Sequence, residues 1–500
     1  MAGEPTASLR ATFRGRISAD AAAVAPYRHD ASHVVGQPLA VVAPVDPEDV
    51  ESLVRWARRT SIPLVPRGAG TSLDGESVPA DGSVVVDFLG WSRLLEVDAE
   101  TLSARVQPGI VNWELQKALR PHGLFFPPNP GSWTTSTIGG NVATNASGMR
   151  SFRYGPTRAW VREVEAVLGT GSRVRLGSLS AKRSVGPDLL QLFVGSEGTL
   201  GLATEVVVRV ATLPTVRKGV VAPVPPTARL GRLASALARM PGSGLSAMEF
   251  LDRNCASAIA EGRNAPWPAD APLLLFEVEA ENPAEADRRL EALRGALSGN
   301  GVPASLTVFD DADELWTLRG TSGDVLLERY GQHVREDVAV PLPKVDELAD
   351  ALERIARRER VPYFLFGHLG EGNLHPNYVV PPSTAAAERI RTAVLRAARS
   401  LGGTISAEHG IGRVKRPFLA EELGPGAVGL LLAVKQACDP DGILNPGKLY
   451  PDGGRGARPP SRSPSGRPIG RIRRGSPTAG RVPPPASTRG PGRRTRSARP

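Results

Sequence analysis

The chain has 500 residues, 41% of them apolar, and two cysteines, Cys255 and Cys438. That length predicts two domains with cores of their own, and so few cysteines exclude a disulfide framework, a cysteine-rich zinc site and a four-cysteine iron–sulfur cluster. The net charge of +10 belongs to the tail, because residues 451–500 hold thirteen Arg and one acid, Asp452, a local net of +12 that leaves −2 for residues 1–450; nucleic-acid binding by the body is therefore not expected.

Residues 1–26 lack a basic start followed by an apolar block, so no secretory signal is expected. No uninterrupted apolar run reaches about 18 residues, so no spanning helix is expected either. With two cysteines, a reducing, cytoplasmic compartment fits.

The body opens with alternating strand and helix signals. "LAVVAP" (39–44) reads as a buried strand. Asp46 then offers an N-cap, Pro47 the first helical position, and Glu48 and Asp49 the acidic first turn. Val50, Leu53, Val54 and Ala57 follow at helical spacing. Strands are expected at 62–66, 82–88, 104–109, 161–169 and 203–210, which with the helix says α+β. A break falls near 211–219. "PLLLFEVEA" (272–280) belongs to a second region, where 382–401 reads as a long helix. The tail after 450 is Arg, Pro, Gly and Ser with little to bury, so it is expected to be disordered. An inert appendage, an electrostatic tether and an out-of-frame read-through all remain open for it.

Three glycine-rich loops mark the first region: "PRGAGTSLDG" (66–75), "PPNPGSWTTSTIGGNVATNASGMRSFRYGPT" (127–157) and "GSEGTLG" (195–201). Gly68 and Gly70 allow close backbone approach to an anion, and Thr71 and Ser72 add hydroxyls. Alone, such loops usually only turn the chain. None matches GxxxxGK followed by Ser or Thr, and none is a GxGxxG opening a helix.

In this order, "PRGAGTSLDG", "STIGGNVATNASG" with "RYG", and "LFVGSEGTLG" resemble the flavin-binding domain of the vanillyl-alcohol oxidase superfamily. "GHLGEGNLHPN", "GGTISAEHGIGRVK" and "DPDGILNPGKLY" resemble its D-lactate dehydrogenase/glycolate oxidase subunit branch, which includes D-2-hydroxyglutarate dehydrogenases. The likeness covers about 27–450. It implies a two-subdomain PCMH-type FAD-binding domain (27–214) after an N-terminal segment (1–26), then an α+β FAD-linked oxidase C-terminal substrate domain (215–450). It implies FAD on Arg67, Gly68, Ala69, Gly70, Thr71 and Ser72, and on Pro130, Gly131, Thr137, Gly139, Gly140, Asn141, Ala143, Asn145, Gly148, Tyr154 and Gly155. Glu197, Gly198, Val206 and Asn445 complete that set. Covalent relatives often carry a histidine in the first loop; Gly70, Thr71 and Ser72 stand here, so non-covalent FAD is expected. Gly186-Pro187-Asp188 departs from the usual Gly-Tyr-Asp, with a local effect.

Two of the seven histidines, His368 and His375, flank one turn between expected strands at 363–366 and 374–380. Two imidazoles make half a divalent site, and Glu408 in "AEHG" is a candidate third ligand. The resemblance assigns His368, His375 and Glu408 to a metal, His409 to the base, and Arg319 to the substrate carboxylate, with Arg335 as a second candidate. Zn is the expected ion; the donor set also suits Mn or Fe. Glu371 stands where the family usually has Asp. His29 and His33 read as structural, and His122 as a helix end.

The resemblance thus implies FAD-dependent oxidation of a D-2-hydroxy acid, with electrons passed to a quinone, an electron carrier or an iron–sulfur partner subunit. The alternatives are a non-redox flavoenzyme resembling alkyl-dihydroxyacetone-phosphate synthase, and a flavin-binding subunit with little activity alone. Peripheral association with the inner membrane face and a homodimer stay open.

Overall fold

The computed structural model describes residues 7–451 except 226 and 304; the expected disorder of the tail lies outside the described residues. The first region holds two sheets. One has four strands in the order Arg16–Ser18, Ala40–Ala43, Val84–Asp87, Leu64–Arg67, parallel except for the first pair. Helix Pro47–Thr60 makes the crossover. The Asp46 side chain accepts from Asp49 N at 2.9 Å, and Val50, Leu53, Val54, Trp56 and Ala57 are buried beneath it. The second sheet is antiparallel, ordered Leu94–Asp98, Ser103–Val106, Gly201–Arg209, Val161–Leu168, Arg173–Gly177. Each expected strand forms, with ends moved by a few residues.

In the first region the glycine-rich stretch 127–157 is not all loop. It folds into two short helices, Ile138–Thr144 and Ser151–Tyr154. Thr137 starts the first, its hydroxyl accepting from Gly140 N at 3.2 Å, and Asn145 in the left-handed region (φ 53°) ends it.

The second region is built on an eight-stranded sheet. Its main order is Thr307–Phe309, Val216–Pro223, Leu273–Ala280, Leu245–Leu251, Tyr363–Gly367, Asn373–Tyr378, Val334–Arg335, and Val338–Ala339 also pairs with Asn373–Tyr378. Helices Val345–Glu359 and Ala385–Ser400 lay Leu348, Leu352, Ile390 and Val394 into its core.

After helix Leu419–Cys438 the chain returns to the first region. Ile443 and Leu444 join the core of the first sheet, where Leu64 N donates to Ile443 O at 2.8 Å. By length and composition, 416–438 passes for a membrane span, unlike the sequence expectation, and it is largely exposed. Gly424 (φ 72°, ψ 167°) with Pro425 breaks it. The unbroken part, 425–438, rises about 21 Å at 1.5 Å per residue, short of the ~30 Å hydrocarbon core.

Candidate active site

His368 and His375 come together because the strands that carry them are a hairpin. Tyr363–Gly367 and Asn373–Tyr378 pair antiparallel with Phe366 opposite His375. The turn is a single 3-10 helix, Leu369–Glu371, closed by Gly372 at φ 72°. Glu371 sits in that turn, where burial pushes its carboxyl up to about 8.

The two rings are nearly perpendicular, 5.1 Å apart. Both present Nε2 to one oxygen: Glu408 Oε1 is 3.0 Å from His368 and 3.2 Å from His375. Burial alone would raise the Glu408 carboxyl, but the imidazoles facing it hold it well below the usual carboxylate range. Burial would lower His368; Glu249 and Glu408 on its two sides raise it well above the ordinary value. His375 is lowered, chiefly by burial.

His409 stacks on His375, centroids 5.1 Å apart and planes 12° apart. Its Nε2 is 3.9 Å from Glu408 Oε1. Its backbone is held by a residue that sequence reasoning missed. Fully buried Asp337 accepts three consecutive backbone N–H groups, those of Ala407, Glu408 and His409, each at 2.9 Å on Oδ2. Burial would raise this carboxyl, but His409, Lys415 and His375 keep it below its ordinary value. Lys415 lies 3.8 Å from Asp337 and 3.1 Å from Asp74.

Glu249 was also missed. It is fully buried and binds His368 Nδ1 at 2.7 Å. The signal for both residues is a charge inside an apolar strand context ("LSAMEFL", "EDVAVP"), where burial demands a partner. Arg319 is buried and lies over the Phe366 ring at 4.8 Å. The Nε–Nη2 edge of its guanidinium is already taken by Glu249 Oε2, and Nη1 donates to Ser322 Oγ at 3.4 Å. Arg335 donates to Ala31 O at 3.0 Å, and among the described residues no carboxylate lies within ion-pair distance of it.

Two imidazole nitrogens and a carboxylate oxygen, met in a buried cluster, are the donor set of a borderline divalent ion with an open position. Glu249 on Nδ1 leaves His368 Nε2 as the ligating nitrogen. Asp337, His375, Glu408 and His409 can also bring donor atoms within 4.8 Å of one another. These residues fit a metal.

The three glycine-rich loops meet at one wall. A Cβ on Gly68 would lie 2.2 Å from Thr137 Oγ1, and one on Gly198 (φ +67°) 2.3 Å from Pro66, so only glycine lets the first loop touch the other two. They line a cavity of about 850 Å³ whose far side is Arg319, Arg335, His368, His375, Glu408 and His409. That volume lies within the roughly 300–1,000 Å³ of small-molecule sites.

Residues 38–177 match the family described as FAD binding domain, and residues 213–449 the one described as FAD linked oxidases, C-terminal domain. The chain is 34% identical over 439 residues to the glycolate oxidase subunit GlcD of Bacillus subtilis, covering 85% of this chain and 92% of that protein. It is 33% identical over 451 residues to the D-2-hydroxyglutarate dehydrogenase of Stutzerimonas stutzeri, covering 87% and 96%. The chain belongs to the FAD-linked oxidase family. The solved structure of p-cresol methylhydroxylase with substrate bound shares its fold, with a TM-score of 0.76 at 17% identity over 90% of this chain and 97% of that one.

This FAD-dependent oxidoreductase carries a cradle suited to its cofactor. Arg67 Nη1, Ser136 Oγ, Asn141 Nδ2, Ser196 Oγ and Asn445 Oδ1 are buried with no hydrogen-bond partner among the described residues, and all five residues line the cavity. Buried polar atoms need partners, and a dinucleotide supplies them. Of the residues the resemblance assigns to FAD, those at 67–72, Pro130, Gly131, Thr137, Gly139, Gly140, Asn141, Ala143, Glu197, Gly198 and Asn445 line it.

Five others do not, and each has a different task. Asn145 Oδ1 accepts from Arg158 N, and Gly148 packs on Asn129 O. Tyr154 donates to Glu279 at 2.7 Å, Gly155 (φ 76°) ends a helix, and Val206 is buried mid-strand. Glu197 also ties the halves of the site, accepting from Ile411 N at 2.7 Å and Gly412 N at 3.0 Å. Burial pushes its carboxyl up to about 7. The departure at Pro187 is local, since Asp188 still caps helix Leu189–Phe193. His122 ends the turn Arg120–His122, while His29 is exposed on the cavity rim.

Proposed function

We propose that the chain oxidises a D-2-hydroxy acid, of the glycolate, D-lactate or D-2-hydroxyglutarate type, to the 2-oxo acid. One observation carries this reading: the glycine-loop cradle and the histidine cluster line the same cavity. When bound, FAD supplies the acceptor for the hydride lost from carbon, and a divalent ion, Zn in this reading, the Lewis acidity that makes the hydroxyl easier to deprotonate.

The chain's residues do the rest. His368, His375 and Glu408 hold the ion. His409, at the cavity wall and stacked on His375, takes the hydroxyl proton on its imidazole. Asp337 keeps the His409 backbone in place. Arg335, which has no ion pair among the described residues, receives the substrate carboxylate together with Nη1 of Arg319, whose Nε–Nη2 edge Glu249 occupies. The FAD is non-covalent in this reading. Its electrons leave to an external acceptor, and the naming of one relative as an oxidase subunit supports a partner subunit in that role.

Turnover with an artificial dye acceptor tests the reading. One of these acids is expected to reduce the dye, and where it is chiral its L-form is not. If none of these acids drives reduction by the FAD-loaded protein, the reading fails.

A further inference from the structure

Glu249 is the single charged residue of strand Leu245–Leu251, whose seven residues are all buried. Its carboxylate is divided between two parts of the site. Oε1 accepts from His368 Nδ1 at 2.7 Å. Oε2 accepts from Arg319 Nε at 3.0 Å and Nη2 at 2.7 Å. The strand runs antiparallel to Tyr363–Gly367 with Phe250 opposite Gly367, which brings residue 249 to the mouth of the histidine turn. Glu249 itself does not line the cavity.

We propose that Glu249 is a positioning residue that couples metal holding by His368 to carboxylate recognition by Arg319; this rests on the metal-assisted reading above. A carboxylate only accepts, so Glu249 fixes a proton on His368 Nδ1, and Nε2, which faces Glu408 Oε1 at 3.0 Å, is the nitrogen left to ligate once an ion displaces its own proton. The same charge fixes the Nε–Nη2 edge of Arg319 and leaves Nη1, which donates to Ser322 Oγ at 3.4 Å, with a second N–H for a substrate carboxylate. Among the described residues no other side chain hydrogen-bonds to both groups, so a change at 249 moves two functions at once.

E249Q separates the possibilities. A carboxamide accepts on one side and donates on the other. With its oxygen toward His368, its NH2 confronts the N–H groups of Arg319. Turned over, the NH2 forces the proton of His368 onto Nε2, where it cannot ligate. E249D keeps the charge but is one methylene short of spanning both partners.

The experiment strips divalent ions from the FAD-loaded protein and titrates Zn2+ against a chromophoric chelator. KM and kcat for the hydroxy acid are then measured at saturating Zn2+. In E249Q the expected result is Zn2+ binding weakened roughly 10- to 100-fold and a raised KM, with FAD per chain unchanged. If E249Q loses its FAD, E249D carries the test, with a smaller loss in both quantities. Wild-type Zn2+ affinity in a folded variant, or a change in only one of the two quantities, overturns the coupling. A wild-type protein that turns over without binding Zn2+ overturns the metal reading itself, and the wild-type arm shows which has failed.

Discussion

His409 owes its position to a carboxylate seventy-two residues away, Asp337, which gathers the amides of 407–409. A backbone so held carries the imidazole to the cavity wall without freezing the ring itself. H409N therefore removes the proton acceptor and little else. Its kcat is expected to fall about 100- to 10,000-fold, with near-normal flavin content, as steady-state kinetics beside an absorbance spectrum will show.

Lys448 behaves differently. It is buried, its Nζ has no hydrogen-bond partner among the described residues, and burial with Arg413 nearby lowers it to about 7. Between pH 7 and 10.5 the folded state binds fewer protons than the unfolded chain, so stability climbs with pH through that window. In K448M the climb should vanish, and stability at pH 7 should rise by on the order of a few kcal/mol, read from denaturant midpoints at several pH values. At this scale, His368 and His375 were legible from sequence because one turn separates them, whereas Glu408 and His409, 40 and 41 residues from His368, were reached through the resemblance carried by "AEHG". Glu249 and Asp337 were not, because their partners lie 119 and 72 residues away and only the folded sheet joins them.

Among the elements, the histidine hairpin bears the most on the site. Strand pairing sets which side chains face each other, and the turn must reverse within Leu369–Glu371 and Gly372. Gly372 sits at φ +72°, and a Cβ there would lie 2.1 Å from Val340 O. G372A should cost at least about 2 kcal/mol of stability, since both the left-handed backbone and the clash penalise it. A thermal melt beside the wild type checks this. The hairpin, the crossover helix and most strands could be read from period and caps. The glycine-rich stretch 127–157 read as a wrapping loop and contains two helices. There the hydroxyl of Thr137 and the packing of Ile138 and Val142 into the core outweigh the poor propensity of paired glycines.

At the scale of the whole molecule, contacts of few residues hold the two halves of the cavity in register. Glu197 binds the loop after His409, and Lys415 binds Asp74 at the end of the first glycine loop. The return of 443–444 to the first sheet closes the arrangement. That return was hidden in sequence, because "DPDGILNPGKLY" has no periodic pattern and its pairing partner, Leu64, is remote. None of these contacts needs the Arg-rich tail. Deleting 452–500 should leave kcat and KM for the hydroxy acid unchanged; a loss of turnover would assign the tail a role in the reaction.

The central claim is that flavin, metal and hydroxy acid act in one cavity, and an anaerobic flavin spectrum tests it most directly. The purified yellow protein is mixed without oxygen with D-lactate, glycolate and D-2-hydroxyglutarate in turn, with and without a chelator. The account predicts that one acid bleaches the flavin, that chelation abolishes the bleaching, and that a divalent ion restores it. A flavin that none of the acids bleaches, or bleaching indifferent to chelation, would contradict it.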